Sequence, residues 1–592
     1  MDDVASSMLK EQHLPGLALV VVQDGKTILK RGFGLANIEK QTKVDPNKSL
    51  FRIGSVSKAL TFLALTRLLD QGKLKRSDKI DPFVANVLNP CGFSSEITIN
   101  HLLTHTAGFD QVGTGRHVYD HHLTLAERKA KRVGLDIFLK SGNLRRVTDA
   151  GEMFRYDTYG VTLAGSIIEQ VTGLSYAEAM QQELFEPLGM HNSFVEVDGA
   201  NLKHLALGYG WQQGQYQPRP YEVYVTTPAS SIDMTPNDMG LLLEAITRDG
   251  SNDAGRLLTT SMMNRVLAPH FRAAPEFHGI THGFFESHTS LESNTQVHLR
   301  SIGHGGSMDG YRCALTIVPE RKLGIFFVAN RAPESGGGVV DFRPLLDLIF
   351  NQLKDAPKRK DFAIPSPATF SVPQDKLTEF IGNYYYGTFC HTPSRQDIAA
   401  GAWPRPDAIS IVVLGKGLKI GEEDYRPYSE DTFVRSDGER LVRFGRNGDS
   451  VITNFVYSTS PDTFEKEMPN LPYPKRRSLA QSLLELANQQ NSESTLEFLE
   501  RNKASEEYYV REAEFNRLGY LLMEQGELDL AIEVFKVNSE EFPNSWNAFD
   551  SLAEGYAKLG KKELSILNYR KSLELNPRNE AGRQMLNKLR RE

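Results

Sequence analysis

The run that follows Ser55, VSKALTFLALTRLLDQGKL, constrains the fold more than any other stretch of the chain. Read as one helix, it is strongly apolar and carries a lysine three residues after the serine at its mouth. That spacing sets the Ser55 hydroxyl and the Lys58 ammonium on one helix face, close enough for a proton to pass between them. Ser55 is therefore a candidate nucleophile. The plain alternative is a capping serine and a solvated lysine, because serine before an apolar run is an ordinary helix start. A serine hydroxyl is a poor nucleophile at neutral pH and needs a base. Lys58 serves as one only where its surroundings depress its pKa, and its apolar flanks Val56, Ala59 and Leu60 favour burial.

At 592 residues the chain is too long for one hydrophobic core, and ordinary domain sizes divide it into three or four units. A formal net charge of -6, with 24% charged and 40% hydrophobic residues, is a soluble globular composition without a basic field for nucleic acid. The apolar runs LALVVVQ and TFLALTRLL are too short or too interrupted to span a membrane. Cys91, Cys313 and Cys390 are widely spaced and form neither a disulfide framework nor a paired metal motif. His121-His122 and His278 with His282 lack an acidic partner motif, so neither a metal nor a cofactor is expected. No signal-peptide pattern lies between Met1 and Leu17. The sequence reads as cytoplasmic, or as periplasmic or secreted if a leader has been removed.

LALVVVQ and KTILKR flank Asp24-Gly25, which predicts an early hairpin. The apolar helix then follows, and CALTIVPERKLGIFFVAN predicts a second hairpin, so strands bracket a helical middle. Thr235-Pro236 predicts a helix start. Proline-rich segments over 356–373 and 463–477 read as linkers that bound a set of short alternating strands. The expected organisation is a catalytic-type domain over 1–355, a small antiparallel β-barrel over 374–462 and a helical domain over 478–592. In the last, Gly526 and Gly560, Phe535 and Tyr569, and Pro543 and Pro577 are each 34 residues apart, a period that resembles tetratricopeptide helical pairs.

Two further segments carry candidate chemistry. Tyr156, in GEMFRYDTYGVTLAG, precedes a helix, and its phenol is placed to hold or relay a proton; the alternative is a buried aromatic with a satisfied hydroxyl. Asp157 and Thr158 also fit an ordinary helix start, while the Thr158 hydroxyl can orient a substrate carbonyl or Lys58. His304 precedes Gly305 and Gly306 at the edge of the second hairpin, where glycines let a substrate backbone approach. His101 and His105, four apart in HLLTHTAG, are expected to brace a turn near the pocket.

Taken together, SVSK, YDT and HGG, in this order, resemble the three active-site motifs of the class C β-lactamase, DD-peptidase and carboxylesterase superfamily. RIGSVSKALTFLALTRLLDQGKL, ITINHLLTHTAG, FEPLGM and GHGGSMDGYR are similar to it as well, and the resemblance covers roughly residues 5 to 350. It implies an α/β (α+β) domain of β-lactamase/transpeptidase type, with a helical lobe beside an antiparallel sheet and the site between them. It implies attack by Ser55, proton transfer shared by Lys58 and Tyr156, and an oxyanion hole formed by backbone N–H groups of Ser55 and Met308. The central strands are similar to the lipocalin-like domain that follows the catalytic domain in some of these enzymes.

Two departures bear on the substrate. Thr158 stands where the family usually has asparagine, and a hydroxyl does not offer the amide's paired donor and acceptor. His304 stands where β-lactamases have lysine, and it binds a carboxylate only when protonated. The resemblance thus implies a carboxylesterase or D-amino-acid amidase or peptidase, with a penicillin-binding DD-peptidase or weak β-lactamase as the alternative. A non-catalytic scaffold, with helical repeats serving a protein partner or self-association, is the competing class.

Overall fold

The computed structural model describes residues 1–83, 96–109, 149–151, 154–197, 199–272, 279–291, 294–331, 340–350, 371–384, 409–421, 423–436, 441–446, 452–457, 475–487, 492–503, 508–509, 512–543, 545–577 and 579–591, with single positions between 127 and 139. Cys91, Cys390, His121, His122 and His278 lie outside the described residues. The chain divides into two compact units, one formed mainly by 1–368 and the other mainly by 369–436 and 472–592.

The first unit begins with α1 (Asp2–Glu11) and the hairpin β1 (Gly16–Gln23) and β2 (Lys26–Asn37). Asp24 and Gly25 both take positive φ, 51° and 73°, as a tight two-residue turn requires. Then come β3 (Thr42–Lys43), β4 (Phe51–Arg52), α2 (Val56–Asp70), α3 (Ile99–Leu103), α4 (Thr158–Thr172), α5 (Tyr176–Met180), β5 (Ser193–Val195) and the hairpin β6 (Tyr209–Gln212) and β7 (Gln215–Pro218). They are followed by α6 (Thr227–Ser230), β8 (Ile232–Met234), α7 (Pro236–Thr247), α8 (Thr260–Leu267), β9 (Phe285–Leu291), β10 (Asn294–Met308), β11 (Tyr311–Val318), β12 (Leu323–Ala329) and α9 (Arg343–Phe350).

Seven strands form one sheet in the order β3-β2-β1-β12-β11-β10-β9. The second hairpin is β11 and β12, paired with Arg312 opposite Ala329 and Val318 opposite Leu323. β1 reads as a continuous apolar run because both faces of the sheet are covered. Leu17, Leu19 and Val21 pack with α1 and α9 on one side, and Ala18, Val20 and Val22 join the large core around α2 on the other. α2 ends at Asp70, before Gly72 at φ +73°. Its residues are nearly all buried, and each large apolar side chain enclosed this way contributes about 1.5–3 kcal/mol.

In the second unit the strands β13 (Gly382–Tyr384), β14 (Ile409–Leu414), β15 (Gly417–Ile420), β16 (Glu423–Pro427), β17 (Thr432–Arg435), β18 (Leu441–Arg446) and β19 (Ile452–Tyr457) are sheet neighbours in chain order. β20 (Lys475–Ser478) pairs with β13. This corrects the expected linker over 463–477 at its end: the prolines stop at Pro474, so Lys475 and Arg476 are free to pair opposite Tyr384 and Asn383. After β20 come α10 (Leu479–Ala487), α11 (Ser492–Asn502), β21 (Tyr508–Tyr509), α12 (Glu512–Glu524), α13 (Leu528–Glu541), α14 (Trp546–Lys558), α15 (Lys562–Leu575) and α16 (Glu580–Arg591).

The bounds of α14 and α15 are those of α12 and α13 displaced by 34 residues, and α16 starts 34 residues after α14. Gly526 and Gly560 turn the two hairpins at φ +86° and +75°. Leu479, Leu483 and Leu499 share a core with Phe515, Leu518 and Phe535, so α10 and α11 pack on the first hairpin. Among the described residues no helix is long and apolar enough to cross a membrane.

Candidate active site

The backbone ahead of α2 is held from two sides. Phe51 and Arg52 pair with Met234 and Asp233 of β8, and the buried Arg52 guanidinium lies 3.5 Å from the Asp233 carboxylate. Ile53 N–H donates to Ile232 O at 3.1 Å, while Ile53 O accepts from the Cys313 thiol of β11 at 3.1 Å. Gly306 of β10 lies against the same carbonyl, and a Cβ there would come within 2.1 Å of it. Gly54 then turns at φ +52°. These contacts fix where α2 begins.

Ser55 occupies the cap position of α2, yet its side chain makes no capping hydrogen bond. The hydroxyl is instead engaged by Lys58 Nζ at 3.2 Å and by the Tyr156 phenol. The capping-serine alternative therefore does not describe this residue. Lys58 is 3% exposed and makes its second hydrogen bond to Ala229 O of α6 at 3.0 Å. Neighbouring contacts dock α2 on α6 and on the start of β8: Thr61 Oγ1 donates to Pro228 O at 2.6 Å, and Ile232 N–H donates to Ser57 Oγ at 3.2 Å.

Burial draws Lys58 from 10.5 down to about 7, with the Asp157 carboxylate acting against it. Lys58 Nζ also lies 4.9 Å from the centre of the Tyr156 ring. Burial pushes the Tyr156 phenol above its ordinary range, although its hydrogen bond with Ser55 opposes that shift. Tyr156 is thus a neutral donor at pH 7, while Lys58 exchanges its proton there.

His304 is 3% exposed, and its pKa falls to about 3, first through burial and then through the charge of Lys58. Its Nδ1 stands 2.6 Å from Gly305 O. A carbonyl only accepts, so Nδ1 carries the proton and the buried Nε2, which has no partner among the described residues, is the bare acceptor. The ring faces Tyr156 and Phe285, at centroid distances of 5.9 and 4.9 Å.

The structure thus brings Ser55, Lys58, Tyr156 and His304 together. Thr158, the first residue of α4, is buried, and its hydroxyl has no partner among the described residues. The second acceptor for Lys58 is a backbone carbonyl in its place. A Cβ built on Gly54 would lie 2.9 Å from Ser307 N and 3.1 Å from Met308 Cγ, so the turn before Ser55 abuts both residues. His101 Nδ1 accepts from Thr98 N–H at 3.2 Å, and His105 lies at the back of the site beside Asp157 and Tyr156. Ala229, whose carbonyl holds Lys58, escaped the sequence reading because a main-chain acceptor has no residue signature. Phe285 had only its place at the start of a strand to mark it.

The family model described as Beta-lactamase matches residues 1–348, more than half of the chain. The chain belongs to the beta-lactamase family. Members of this beta-lactamase-fold family are serine hydrolases. Protein flp of Staphylococcus aureus (strain N315) is 26% identical over 333 residues, 56% of this chain and 62% of that protein. The match therefore spans less than two thirds of that relative's length. Penicillin-binding protein 4* of Bacillus subtilis (strain 168) is 23% identical over 477 residues, which cover 76% of this chain and 94% of that protein. The crystal structure of SurE shares the fold, with a TM-score of 0.51 at 19% identity over 80% of this chain and 98% of that one.

Proposed function

We propose that this protein is a serine hydrolase that forms an acyl-enzyme at Ser55 and acts best on uncharged carboxylic esters or on amides of small or D-configured acyl groups. The observation that carries the reading is the 3.2 Å contact between Ser55 Oγ and a buried Lys58 whose pKa lies at about 7. Neutral Lys58 takes the Ser55 proton as Oγ attacks the substrate carbonyl carbon. Tyr156, kept protonated by burial, passes a proton to the leaving group and regains one from Lys58. Water then attacks the acyl-enzyme, its proton returns to Ser55, and the acid is released. Ser55 N–H and an N–H of the Ser307–Met308 segment are assigned to the oxyanion, Ser307 N being the nearer to the Gly54 turn.

The substrate preference follows from His304. A buried, neutral imidazole supplies an acceptor where a lysine would supply a cation, so the site has no charge there for a terminal carboxylate. A second reading, a penicillin-binding DD-peptidase, is favoured by the relative named penicillin-binding protein 4*. Gly305 is assigned to the approach of an extended substrate under either reading, whereas the open side of Gly306 is taken up by the Ile53 carbonyl. Thr158 is assigned to substrate orientation, since its hydroxyl is not engaged elsewhere among the described residues. The 34-residue displacement supports tetratricopeptide-like repeats that hold a protein partner or a second copy, and the chain-order strands support a lipocalin-like module.

A panel of short-chain aryl esters, D- and L-aminoacyl anilides, a D-Ala-D-Ala peptide and a chromogenic β-lactam, run on wild type and Ser55→Ala, tests the reading. Turnover of esters or D-aminoacyl anilides that is lost in Ser55→Ala is expected. A trapped β-lactam with rapid release from the D-Ala-D-Ala peptide would move the assignment to the peptidase. Full turnover by Ser55→Ala on every active substrate would end it, and no turnover by the wild type on any member of the panel would return the chain to a scaffold role.

A further inference from the structure

We propose that Asp157 is a charge-setting positioning residue: its carboxylate, fixed by the first turn of α4 and by His105, sets the pH at which Lys58 becomes a neutral base. This rests on the reading of Lys58 as the base. Asp157 caps α4, its Oδ1 accepting from Gly160 N–H. An uncharged Ser, Thr or Asn would cap the helix as well, so the cap does not call for a carboxylate.

The surroundings leave room for the carboxylate. A Cβ on Gly160 would lie 2.7 Å from Asp157 Oδ1 and 3.1 Å from Oδ2, so the helix leaves a side chain out of its first turn where the carboxylate sits. Asp157 is 1% exposed, and His105 Nδ1 stands 3.4 Å from Oδ2 and 3.4 Å from the Asp157 N–H. His105 holds this position with φ +52°, a backbone state that non-glycine residues rarely take and that collects at functional sites. Its ring lies 5.0 Å from that of Tyr156, which in turn lies under Lys58 Nζ.

Lys58 is faced by Ser55 on its own helix, by Tyr156 and Asp157 at the start of α4, by His304 of β10 and by the Ala229 carbonyl of α6, and His105 after α3 lies behind Asp157 and Tyr156. Among these described groups Asp157 alone supplies a negative charge. In a site shielded from water that charge is felt strongly, and it opposes the neutralisation that burial drives. Without it Lys58 loses its proton at lower pH, and as a weaker base it transfers protons less effectively.

The test is the pH profile of kcat/KM for an aryl ester, whose acidic limb reports the base of the free enzyme. Asp157→Asn and Asp157→Ser both keep a capping acceptor, and thermal melts at each pH confirm that they fold. The limb is expected to move down by about half to one pH unit in both, with a lower plateau. An unmoved limb in two folded variants would overturn the inference. Disappearance of the limb in His105→Asn, which tolerates positive φ, would also overturn it by assigning the titration to His105. Full turnover by Ser55→Ala would refute the underlying reading, whereas lost turnover with an unmoved limb would refute this inference alone.

Discussion

The burial that suits Lys58 to the proposed role of base comes at a cost to stability. Burial draws its pKa from 10.5 to about 7, so between those values the unfolded chain binds more protons than the folded one. Stability therefore rises with pH across that window, and the penalty is fully present below pH 7. Lys58→Met, which keeps the packing of the stem, is expected to abolish turnover and to stabilise the fold at pH 6 by up to roughly 4 kcal/mol. The gain should shrink as the pH approaches 10, followed by calorimetry at each pH. An equal gain at pH 6 and 10 would mean that no buried ammonium is involved. His304, with its pKa near 3, stays neutral in the folded state across that range, and the titration of its unfolded form near 6.5 is common to wild type and variant, so it cancels in the comparison.

At the scale of elements, the site is made by the ends of α2 and α4 meeting β10 and α6. Glycine to alanine inside a helix ordinarily stabilises by about 1 kcal/mol. Gly160→Ala should do the reverse, because its Cβ would press within 2.7 Å of the Asp157 carboxylate. A loss of about 1–3 kcal/mol is expected in denaturant melts, and a gain in stability would place the carboxylate elsewhere. Both hairpins and α2 were legible in the sequence, since Asp24-Gly25, the Pro319 turn and the apolar run each act locally. The Ser55–Lys58 contact was legible too, as a helical spacing of three. What could not be read was everything carried by backbone atoms: the Ala229 carbonyl on Lys58 and the Ile53 carbonyl wedged between Gly306 and Cys313. The acidic partner of Lys58 was missed for another reason, since Asp157 is remote in sequence and reads as an ordinary cap.

Over the whole molecule, the groups assigned to chemistry all fall within 1–368, in one compact unit. The 34-residue period seen in sequence recurs in the bounds of α12 to α15, and α16 starts one period after α14. The boundary near 475 was not legible, since Lys-Arg-Arg after prolines has no strand signature and pairs only because β13 offers an edge. A chain ending at residue 368 is expected to keep kcat/KM for a small ester within about threefold of the full chain, a difference under about 1 kcal/mol. Loss of turnover in a truncated chain that still melts cooperatively would bring the second unit into the catalytic assignment. The central claim is tested most directly by quenching the enzyme during turnover of a slow ester and mapping the acyl group by mass spectrometry. The acyl mass is predicted on the peptide containing Ser55 and should be absent from Ser55→Ala; an adduct on another residue, or undiminished turnover in that variant, would contradict it.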